Sequence, residues 1–442
     1  MSINEKGQEL KEITKYMSRR NVLLAGLGLV FAGVLGRVGH QRLKSGPAGH
    51  DAYFAELQQA LREAGVAHRS LIIDRERMEA NLQRLIRRIR PEYHYRVVAK
   101  SLPSIELLDW VMTRADTRRL MLFNEPFLRQ VAAALPHSDI LLGKPLTAGA
   151  AHHFYQHYEA DSGFDPDTQL QWLIDSPQRL ADYAALADTL RQPMQVSLEI
   201  DIGLHRGGIS DTETAGKMVT QLRDDPWLTF SGFMGYEAHI PRAPGGAARN
   251  FSRAMARYAA FVRTAEEALG HGIEDLTLNT GGSTTYNLYP GVDVLPNELS
   301  VGSALVQPTD FDLPTLDGHQ PAAFIAAPLL KVIEGLQLPG APGLGRLLGL
   351  WDRRYEQTFF IDGGYWKALP ESPAKLTTNA LYGRSSNQEM LNGPADIALA
   401  PDDFLFFRPT QSEVVLQDFG DLFIYDSKTG RFPARWAPFP RR

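Results

Sequence analysis

Four segments of the sequence carry side chains suited to binding a ligand or transferring a proton, and each follows a short apolar run typical of a β-strand. One segment ends in a lysine, two combine charged or aromatic residues with glycines, and the fourth is a run of glycines and hydroxyl residues. Charged residues framed by glycines indicate backbone packed closely against a ligand. The segments are Arg96-Val-Val-Ala-Lys100, Glu199-Ile-Asp-Ile-Gly-Leu-His-Arg206-Gly-Gly208, Gly235-Tyr-Glu-Ala-His239 and Asn279-Thr-Gly-Gly-Ser283-Thr-Thr285.

Lys100 and the glycine-hydroxyl run indicate the most specific chemistry. A lysine desolvated at the end of a strand loses basicity and can form a Schiff base with a carbonyl compound. Glycines and hydroxyls directly after a strand offer N–H and O–H donors to a phosphate. Each feature also has an ordinary interpretation, because most such lysines are surface charges and most Gly-Gly-Ser-Thr runs are turns.

These segments need a scaffold that brings several strand ends together. Apolar runs alternate with amphipathic helical stretches over about 230 residues, which is typical of a parallel sheet. The number of strands predicts an α/β fold with a closed (β/α)8 barrel, whose active site lies at the carboxyl ends of the strands. After about residue 300 the helical periods stop, and short runs predict a C-terminal antiparallel β domain. These runs are residues 359–361, 404–407, 414–416 and 422–425.

The composition of the 442-residue chain excludes several classes of function. It has no cysteine, so disulfides, iron–sulfur clusters, a cysteine nucleophile and thiolate metal ligands are excluded. Residues 1–50 carry eight basic and three acidic side chains, whereas the remaining 392 carry 38 basic and 48 acidic ones. Because the body of the protein has a net charge of −10, we expect no nucleic-acid partner.

The positive charge at the N-terminus surrounds a segment with features of an export signal. Ser18-Arg-Arg20 precedes an uncharged, glycine-rich run at residues 21–36, a pattern similar to a twin-arginine signal. The run is shorter than the ~20 residues that span a bilayer comfortably. We expect twin-arginine export to the periplasm, with residues 21–36 either removed or kept as an inner-membrane anchor. The alternative is a short buried helix after a chance arginine pair.

Taken together and in this order, the four segments resemble the fold-type III pyridoxal-phosphate enzymes, the alanine racemase-like barrels. The resemblance extends over roughly residues 68 to 416 and is strongest to the branch of D-threonine aldolase and D-serine dehydratase. Two further segments carry it: Leu71-Ile-Ile-Asp74, and Asp362-Gly-Gly-Tyr-Trp-Lys-Ala-Leu369, which is similar to the branch's Asp-Ala-Gly-x-Lys-Ala-Leu motif with one extra residue.

The resemblance also implies a domain organisation. Residues 71–74 join the β domain, the barrel begins with the strand before Lys100, and its last strand lies near residues 299–303. We therefore predict a signal or anchor at residues 1–50, a segment that joins the β domain at 51–75, a barrel at 76–303 and a β domain at 304–442. A homodimer is implied as well.

The resemblance implies a role for each candidate residue. Lys100 holds pyridoxal phosphate covalently and later carries protons, and Arg206 contacts the region of the cofactor's phenolic oxygen. Tyr236 lies beside the cofactor ring, and His239 lies nearby in the pocket. His205 orients the loop that carries Arg206 without touching the cofactor. The phosphate is bound by Gly281, Gly282, Ser283 and Thr284.

The C-terminal region departs from the branch that it resembles. There, Pro-x-His-x-Cys or Pro-x-His-x-Asp binds a divalent metal that engages the substrate's β-hydroxyl. The matching stretch here is Arg408-Pro-Thr-Gln411-Ser-Glu413, and the upstream segment is also altered, to Ser385-Ser-Asn-Gln-Glu-Met390. Gln411 and Glu413 could bind Mg²⁺ or Ca²⁺ through oxygen but would hold Zn²⁺ or Mn²⁺ poorly. Because two segments of this region are changed, we expect the metal step to be lost or rebuilt and no metal at these positions.

Three functions stay open, and the first two take a small amino acid as substrate. The first is a lyase of the D-threonine aldolase or D-serine dehydratase type, acting at Cα of a D-amino acid or β-hydroxy-D-amino acid. The second is a metal-independent racemase or deaminase, whose second acid–base residue would be Tyr289, Tyr365 or Tyr382. The third is an exported cofactor-binding protein without turnover. The β domain of ~140 residues argues against the third function, because such a domain normally closes the active site and completes a dimer.

Overall fold

The structure is a computed structural model that describes residues 48–340, 342–413 and 415–440. The predicted export signal, with the run at residues 21–36, lies outside the described residues. Among the helices that the structure does describe, none combines the length and the apolar character needed to cross a membrane.

The first two thirds of the described chain alternate strands and helices, and the last third is mainly strands. The elements up to the end of the barrel are α1 (Ala52–Glu63), β1 (Ser70–Asp74), α2 (Arg75–Ile89), β2 (His94–Val98), α3 (Ile105–Ala115), β3 (Arg119–Leu122), α4 (Glu125–Ala134), β4 (Asp139–Leu142), α5 (Ala148–His157), α6 (Pro166–Gln169), β5 (Leu170–Ile174), α7 (Pro177–Leu190), β6 (Met194–Ile200), α8 (Thr212–Asp224), β7 (Leu228–Gly235), α9 (Ala247–Leu269), β8 (Thr277–Thr280) and β9 (Glu298–Val301). The later elements are β10 (Ala323–Glu334), α10 (Pro342–Trp351), β11 (Gln357–Asp362), β12 (Ala368–Ser372), β13 (Thr377–Thr378), β14 (Gln388–Gly393), β15 (Phe404–Pro409), β16 (Leu422–Asp426) and β17 (Arg431–Trp436).

The chain divides into two compact units. The barrel unit comprises residues 56–326, 366–369 and 406–442, and the sheet unit comprises the described residues up to 55 together with residues 327–365 and 370–405. The predicted domain boundaries at 75/76 and 303/304 stay predictions.

Strands β2 to β9 form a closed parallel barrel, which confirms the predicted fold class. The strand before Lys100 opens it, and β9 closes it by pairing with β2, with Val301 opposite Val97. Helices cover the outside, so the strands are buried on both faces and appear in sequence as continuous apolar runs rather than alternating ones. All five residues of β5 are buried, for example.

The helices owe their positions to one apolar face and to polar caps. In α2 the apolar side chains recur every three or four residues and are buried, while the carboxyl of Asp74 accepts a hydrogen bond from the N–H of Arg77 at 2.9 Å. Ser176 and Asp211 cap α7 and α8 in the same way. Each cap directly follows a strand or loop, so it fixes where the chain turns back along the barrel.

A buried ionic network links five strands of the barrel, β2, β3, β4, β8 and β9. Arg96, which is fully buried, donates from Nε to Glu298 Oε1 at 2.5 Å and from Nη2 to Asp139 Oδ1 at 3.0 Å. Arg119 and Asn279 donate to the same Glu298 carboxyl, at 2.6 and 2.7 Å. Burial alone opposes ionisation of Glu298, but the two arginines outweigh it and lower the pKa of this carboxyl.

Outside the barrel, the barrel unit carries further strands from both ends of the described chain. β1 pairs antiparallel with the first part of β10, with Ile72 opposite Phe324, and parallel with β16, with Ile72 opposite Phe423. β16 pairs antiparallel with β17. Residues 71–74 therefore pair with C-terminal strands, as the resemblance implies, and the parallel β1–β16 pair makes this sheet mixed.

The strand pairs β10–β11, β11–β14 and β13–β14 of the sheet unit are antiparallel, as predicted for the C-terminal region. β11 lies between the second part of β10 and β14, with Phe359 opposite Val332 on one side and Leu391 on the other. β13 adds to the far side of β14. One predicted strand is wrong: residues 415–417 form a 3₁₀ turn, since a three-residue apolar run shows no period that distinguishes a strand from a buried turn.

Candidate active site

The carboxyl ends of the barrel strands surround a cavity that lies within the barrel unit. It is lined by six of the residues predicted to form the site, together with Phe123 and Glu413 from other parts of the chain. The six predicted residues are Lys100, Arg206, Tyr236, Gly281, Gly282 and Ser283. The cavity therefore brings together all four segments identified in the sequence.

Lys100 lies in a 3₁₀ turn, Ala99–Ser101, directly after β2. Its Nζ is 4.7 Å from the centre of the Phe123 ring and 2.7 Å from Glu413 Oε1. The lysine side chain is 38% exposed, so it faces an open cavity rather than a sealed apolar wall. The amine is thus accessible to a ligand and already has an anionic partner.

The loop that carries Arg206 is held by Asp201, at the end of β6. The buried Asp201 carboxyl accepts hydrogen bonds from the backbone N–H groups of Gly203 and His205, at 2.9 and 3.0 Å, and from His205 Nδ1 at 2.6 Å. Burial opposes ionisation, but these hydrogen bonds prevail and lower the pKa of Asp201. His205 itself is 71% exposed and lies outside the cavity. The guanidinium of Arg206 lies 5.1 Å from the centre of the Tyr236 ring, so these two residues form one wall.

A second carboxyl, Glu199, lies beneath the same loop. Burial raises its pKa to about 7, nearby Asp175 adds to the effect and Arg206 opposes it. Loss of the Glu199 proton therefore occurs near neutral pH and changes the charge beside Arg206.

The glycine-hydroxyl loop after β8 offers unpaired donors. Within the part of the chain that the structure describes, the backbone N–H groups of Gly282, Ser283 and Thr284 have no acceptor, and the buried Thr284 hydroxyl has no partner. Gly281 adopts φ +79°, and a Cβ added to Gly282 would lie 2.9 Å from Tyr236 Cε2. The backbone thus packs tightly and leaves three N–H groups unpaired, an arrangement suited to binding an anion.

Ser283, in the glycine-hydroxyl loop, also contacts the chain that follows β9. Its Oγ accepts hydrogen bonds from the backbone N–H groups of Gly302 and Ala304, at 3.4 and 3.0 Å. A Cβ added to Gly302 would lie 2.8 Å from Val98. The hydroxyl hydrogen of Ser283 remains available to a ligand, because both of these bonds use its oxygen as acceptor.

Glu237 is a site residue that sequence reasoning missed. It is fully buried and accepts hydrogen bonds from the hydroxyls of Thr280 and Thr285 and from the N–H of Gly281. Burial raises the pKa of Glu237 despite these bonds. The available signal was a carboxyl between two residues already selected, Tyr236 and His239.

His239 lies in a neighbouring cleft of about 590 Å³, not in the cavity that holds Lys100. The same cleft is lined by Gly203, His205 and Arg253. Burial and, to a smaller extent, the nearby His205 lower the pKa of His239. Thr284 likewise does not line the cavity directly, although its backbone belongs to the glycine-hydroxyl loop.

The two altered metal positions have separate partners. Gln411 Nε2 donates to Asp310 Oδ2 at 3.1 Å, whereas Glu413 pairs with Lys100. No cluster of three or more histidine, aspartate or glutamate residues that could hold a metal ion occurs among the described residues. The expectation of a metal-free site stays a prediction.

The three candidate tyrosines differ in accessibility. Tyr289 is fully buried, its hydroxyl is 3.1 Å from that of Thr280, and burial raises its pKa well above the usual value. It therefore cannot meet a ligand in this conformation. Tyr365 and Tyr382, in the sheet unit, are 67% and 45% exposed.

A larger cleft, of about 850 Å³, lies at the amino ends of the strands. It is lined by His94, Arg119 and Asp139, the first residues of β2, β3 and β4. In barrels of this kind the amino-end face contributes to stability, and chemistry takes place at the carboxyl ends. The smaller cavity around Lys100 is therefore the candidate active site.

The residues of this cavity fit the cofactor predicted from the sequence. Lys100 supplies an amine for a carbonyl group, and the unpaired N–H groups of Gly282 and Ser283 suit a phosphate. The Thr284 N–H and hydroxyl, next to the cavity lining, are also unpaired. Arg206 and Tyr236 supply a cationic and an aromatic wall. A planar, phosphorylated aldehyde matches this set of donors and surfaces.

Comparison with known proteins agrees with the family that the sequence resembles. The family model for the alanine racemase N-terminal domain matches residues 73–309. No curated protein sequence matches the chain significantly.

Several solved structures share the fold at low sequence identity. D-threonine aldolase from Filomicrobium marinum has a TM-score of 0.67 at 14% identity, covering 84% of this chain and 94% of its own. D-threo-3-hydroxyaspartate dehydratase from Delftia sp. HT23 has 0.64 at 16%, covering 84% and 97%. Alanine racemase from Clostridium difficile 630 has 0.61 at 13%, covering 84% and 98%. At these identities the likeness shows the fold alone.

Proposed function

Because the chain belongs to the family of the alanine racemase N-terminal domain, we propose that it is a pyridoxal-phosphate enzyme acting at Cα of a D-amino acid. The observation that carries the proposal is that the Lys100 amine shares one cavity with the unpaired donors of the glycine-hydroxyl loop. When bound, pyridoxal phosphate supplies an electron sink for charge that develops at Cα.

The residues of the chain then divide the remaining work. Lys100 would hold the carbonyl group through its amine and would hold or move a proton beside Cα. The loop after β8 would bind the phosphate through the unpaired N–H groups of Gly282, Ser283 and Thr284. Arg206 would offer charge-assisted hydrogen bonds to an anionic oxygen, and Tyr236 would hold the flat ring by aromatic contact.

Within this class, we propose a lyase on a β-hydroxy-D-amino acid as the preferred reaction. The likeness to structures titled D-threonine aldolase and D-threo-3-hydroxyaspartate dehydratase supports this choice, as does the segment at residues 362–369. A metal-independent racemase or deaminase is the second candidate. The observation that favours it is that Glu413, at one of the two altered metal positions, pairs with Lys100 rather than with other metal-ligating side chains. Export to the periplasm and dimerisation stay predictions from the sequence.

The cofactor proposal is tested by adding pyridoxal phosphate to the purified protein. We expect an absorbance band at about 420 nm, and borohydride reduction followed by peptide mass spectrometry should locate the adduct on Lys100. The band should vanish in Lys100→Ala and persist in Lys144→Ala, an exposed lysine next to the cavity residue Gly143. No band in the wild type would overturn the proposal.

The reaction is then identified with D-threonine, D-serine and D-alanine, each with and without a chelator. Glycine plus acetaldehyde from D-threonine indicates an aldolase, and keto acid plus ammonia indicates a dehydratase or deaminase. Loss of optical activity alone indicates a racemase and contradicts the lyase. Activity lost on chelation would refute the metal-free prediction.

A further inference from the structure

We propose that Glu413 is the proton acceptor for the amines that react at this site. The first is the amine of Lys100, and the second is the amine of the incoming amino acid. The inference rests on the proposed function and deepens it. Glu413 Oε1 lies 2.7 Å from Lys100 Nζ, which is a hydrogen-bonding distance suited to proton transfer. Both residues line the same cavity and belong to the barrel unit.

An amine needs an unshared electron pair to attack a carbonyl carbon, and an ammonium has none. A lysine held in an ion pair, as Lys100 is with Glu413, must therefore give up a proton before its nitrogen can attack. Of the described residues that line the cavity, Glu413 alone carries a carboxyl group. It is therefore the acceptor in place when Lys100 reacts.

The other titratable groups of the cavity are less suited to this role. Arg206 is a permanent cation and accepts no proton. Burial, opposed in part by Arg206, raises the pKa of Tyr236, which makes its phenolate scarce at neutral pH. His239 lies in the neighbouring cleft.

The step balances in atoms and charge. The nitrogen of Lys100 gives one proton to Glu413 and bonds to the carbonyl carbon. A second proton passes from this nitrogen to the carbonyl oxygen, and Glu413 returns its proton to that oxygen, which leaves as water. The third proton stays on nitrogen with the positive charge, so no further reactant is needed.

This assignment gives a function to a sequence change. Glu413 stands where the branch that the sequence resembles has a cysteine or aspartate, and Gln411 stands where it has a histidine. Here the Gln411 amide is bound to Asp310, and the Glu413 carboxylate holds the reacting amine. The same carboxylate would meet the ammonium of an incoming amino acid when that amine replaces Lys100.

The test measures how fast the protein captures pyridoxal phosphate, followed by stopped-flow absorbance across pH. Glu413→Gln should slow capture at pH 7 by on the order of 100-fold and shift the pH dependence upward, and Glu413→Asp should restore part of the rate. Pyridoxine phosphate, which has no aldehyde, should bind both proteins equally. Asp310→Asn, which removes a nearby exposed carboxylate, is the matched control and should leave capture unchanged.

The outcomes separate this inference from the proposed function. A wild type that captures no pyridoxal phosphate overturns the proposed function, and this inference with it. A wild type that captures it while Glu413→Gln does so at the same rate and pH dependence overturns this inference alone. If Glu413→Gln lowers the capture of pyridoxal phosphate and the binding of pyridoxine phosphate equally, this inference is also overturned, because Glu413 would then only support the shape of the pocket.

A second measurement uses amines in different charge states. D-alanine arrives as an ammonium, whereas O-methylhydroxylamine is neutral at pH 7 and needs no proton acceptor. In the loaded protein, Glu413→Gln should slow the spectral change caused by D-alanine and leave that caused by O-methylhydroxylamine unaltered. Equal slowing by both reagents would contradict proton transfer to Glu413.

Discussion

The hydroxyl of Thr280, at the end of β8, donates a hydrogen bond to the buried Glu237 Oε2 at 3.0 Å, just beyond the end of β7. This bond ties two neighbouring strand ends together immediately before the glycine-hydroxyl loop. Because Glu237 also accepts from Gly281 and Thr285 on the loop itself, one carboxyl holds the whole loop in its donor-presenting conformation.

Replacing Glu237 should therefore weaken phosphate binding. We expect Glu237→Ala to lower affinity for pyridoxine phosphate about tenfold or more, because buried donors left without an acceptor cost roughly 1–3 kcal/mol each. Affinity for pyridoxine, which lacks the phosphate, should stay unchanged. Titration calorimetry with both ligands measures the difference.

The control for this prediction is Glu237→Gln. The glutamine retains an acceptor oxygen and the shape of the glutamate side chain, so its affinity should be close to that of the wild type. An equal loss with pyridoxine would contradict a role confined to the phosphate loop.

Breaking the buried pair inside the barrel should destabilise the fold strongly. Arg96→Met leaves the fully buried Glu298 without its main partner, and removing one member of such a pair costs about 3–5 kcal/mol. Urea unfolding followed by circular dichroism measures the loss in free energy of unfolding. Arg223→Ala, at an exposed pair with Asp224, should leave the free energy of unfolding nearly unchanged.

Acid should remove the stabilisation that Glu298 provides. Its pKa is lower in the folded protein than in the unfolded chain, so the contribution is complete above the ordinary glutamate pKa and declines as pH falls through the folded value. In Arg96→Met the acid-induced decline should be smaller. An identical pH profile for both proteins would contradict this account.

Glu199 should make the protein less stable as pH rises towards 7. Its pKa is about 7 in the folded state, so between the ordinary glutamate value and pH 7 the folded protein keeps a proton that the unfolded chain has lost. Stability then falls across this window, by at most about 3 kcal/mol. Thermal unfolding at pH 5 and pH 8 should show a larger decrease in Tm for the wild type than for Glu199→Gln.

The exposed Glu213 provides the comparison for this effect. Its side chain is 80% exposed, so Glu213→Gln should keep the wild-type dependence on pH. If the Tm of Glu199→Gln fell between pH 5 and pH 8 by as much as that of the wild type, burial of Glu199 would not be the cause of the pH dependence.

Removing Asp201 should loosen the loop that carries Arg206. The carboxyl accepts three hydrogen bonds from Gly203 and His205, and Asp201→Ala leaves these donors without it. We expect faster backbone hydrogen exchange at residues 202–208 and weaker cofactor binding, measured by exchange mass spectrometry and absorbance titration. Asp224→Ala, at an exposed position, should alter neither, and unchanged exchange in Asp201→Ala would refute the role.

The barrel was predictable because its signals are local. The alternation of apolar runs and helical stretches predicted the barrel that β2 to β9 form. The position of β9 agrees with residues 299–303, where the resemblance implied the last strand. The short run at 414–416 was not predictable in this way, because burial without alternation is compatible with a turn.

The sequence by itself determined the eight-stranded barrel, the position of Lys100 at a strand end and the glycine-hydroxyl loop, because strand ends and backbone donors follow from residue type and order. Only the tertiary structure decided that Glu413 lies beside Lys100, that Glu237 holds the loop from within and that His239 lies in another cleft. These contacts depend on how side chains from distant segments are directed when the strands close into a barrel, and no local period of the sequence records that direction.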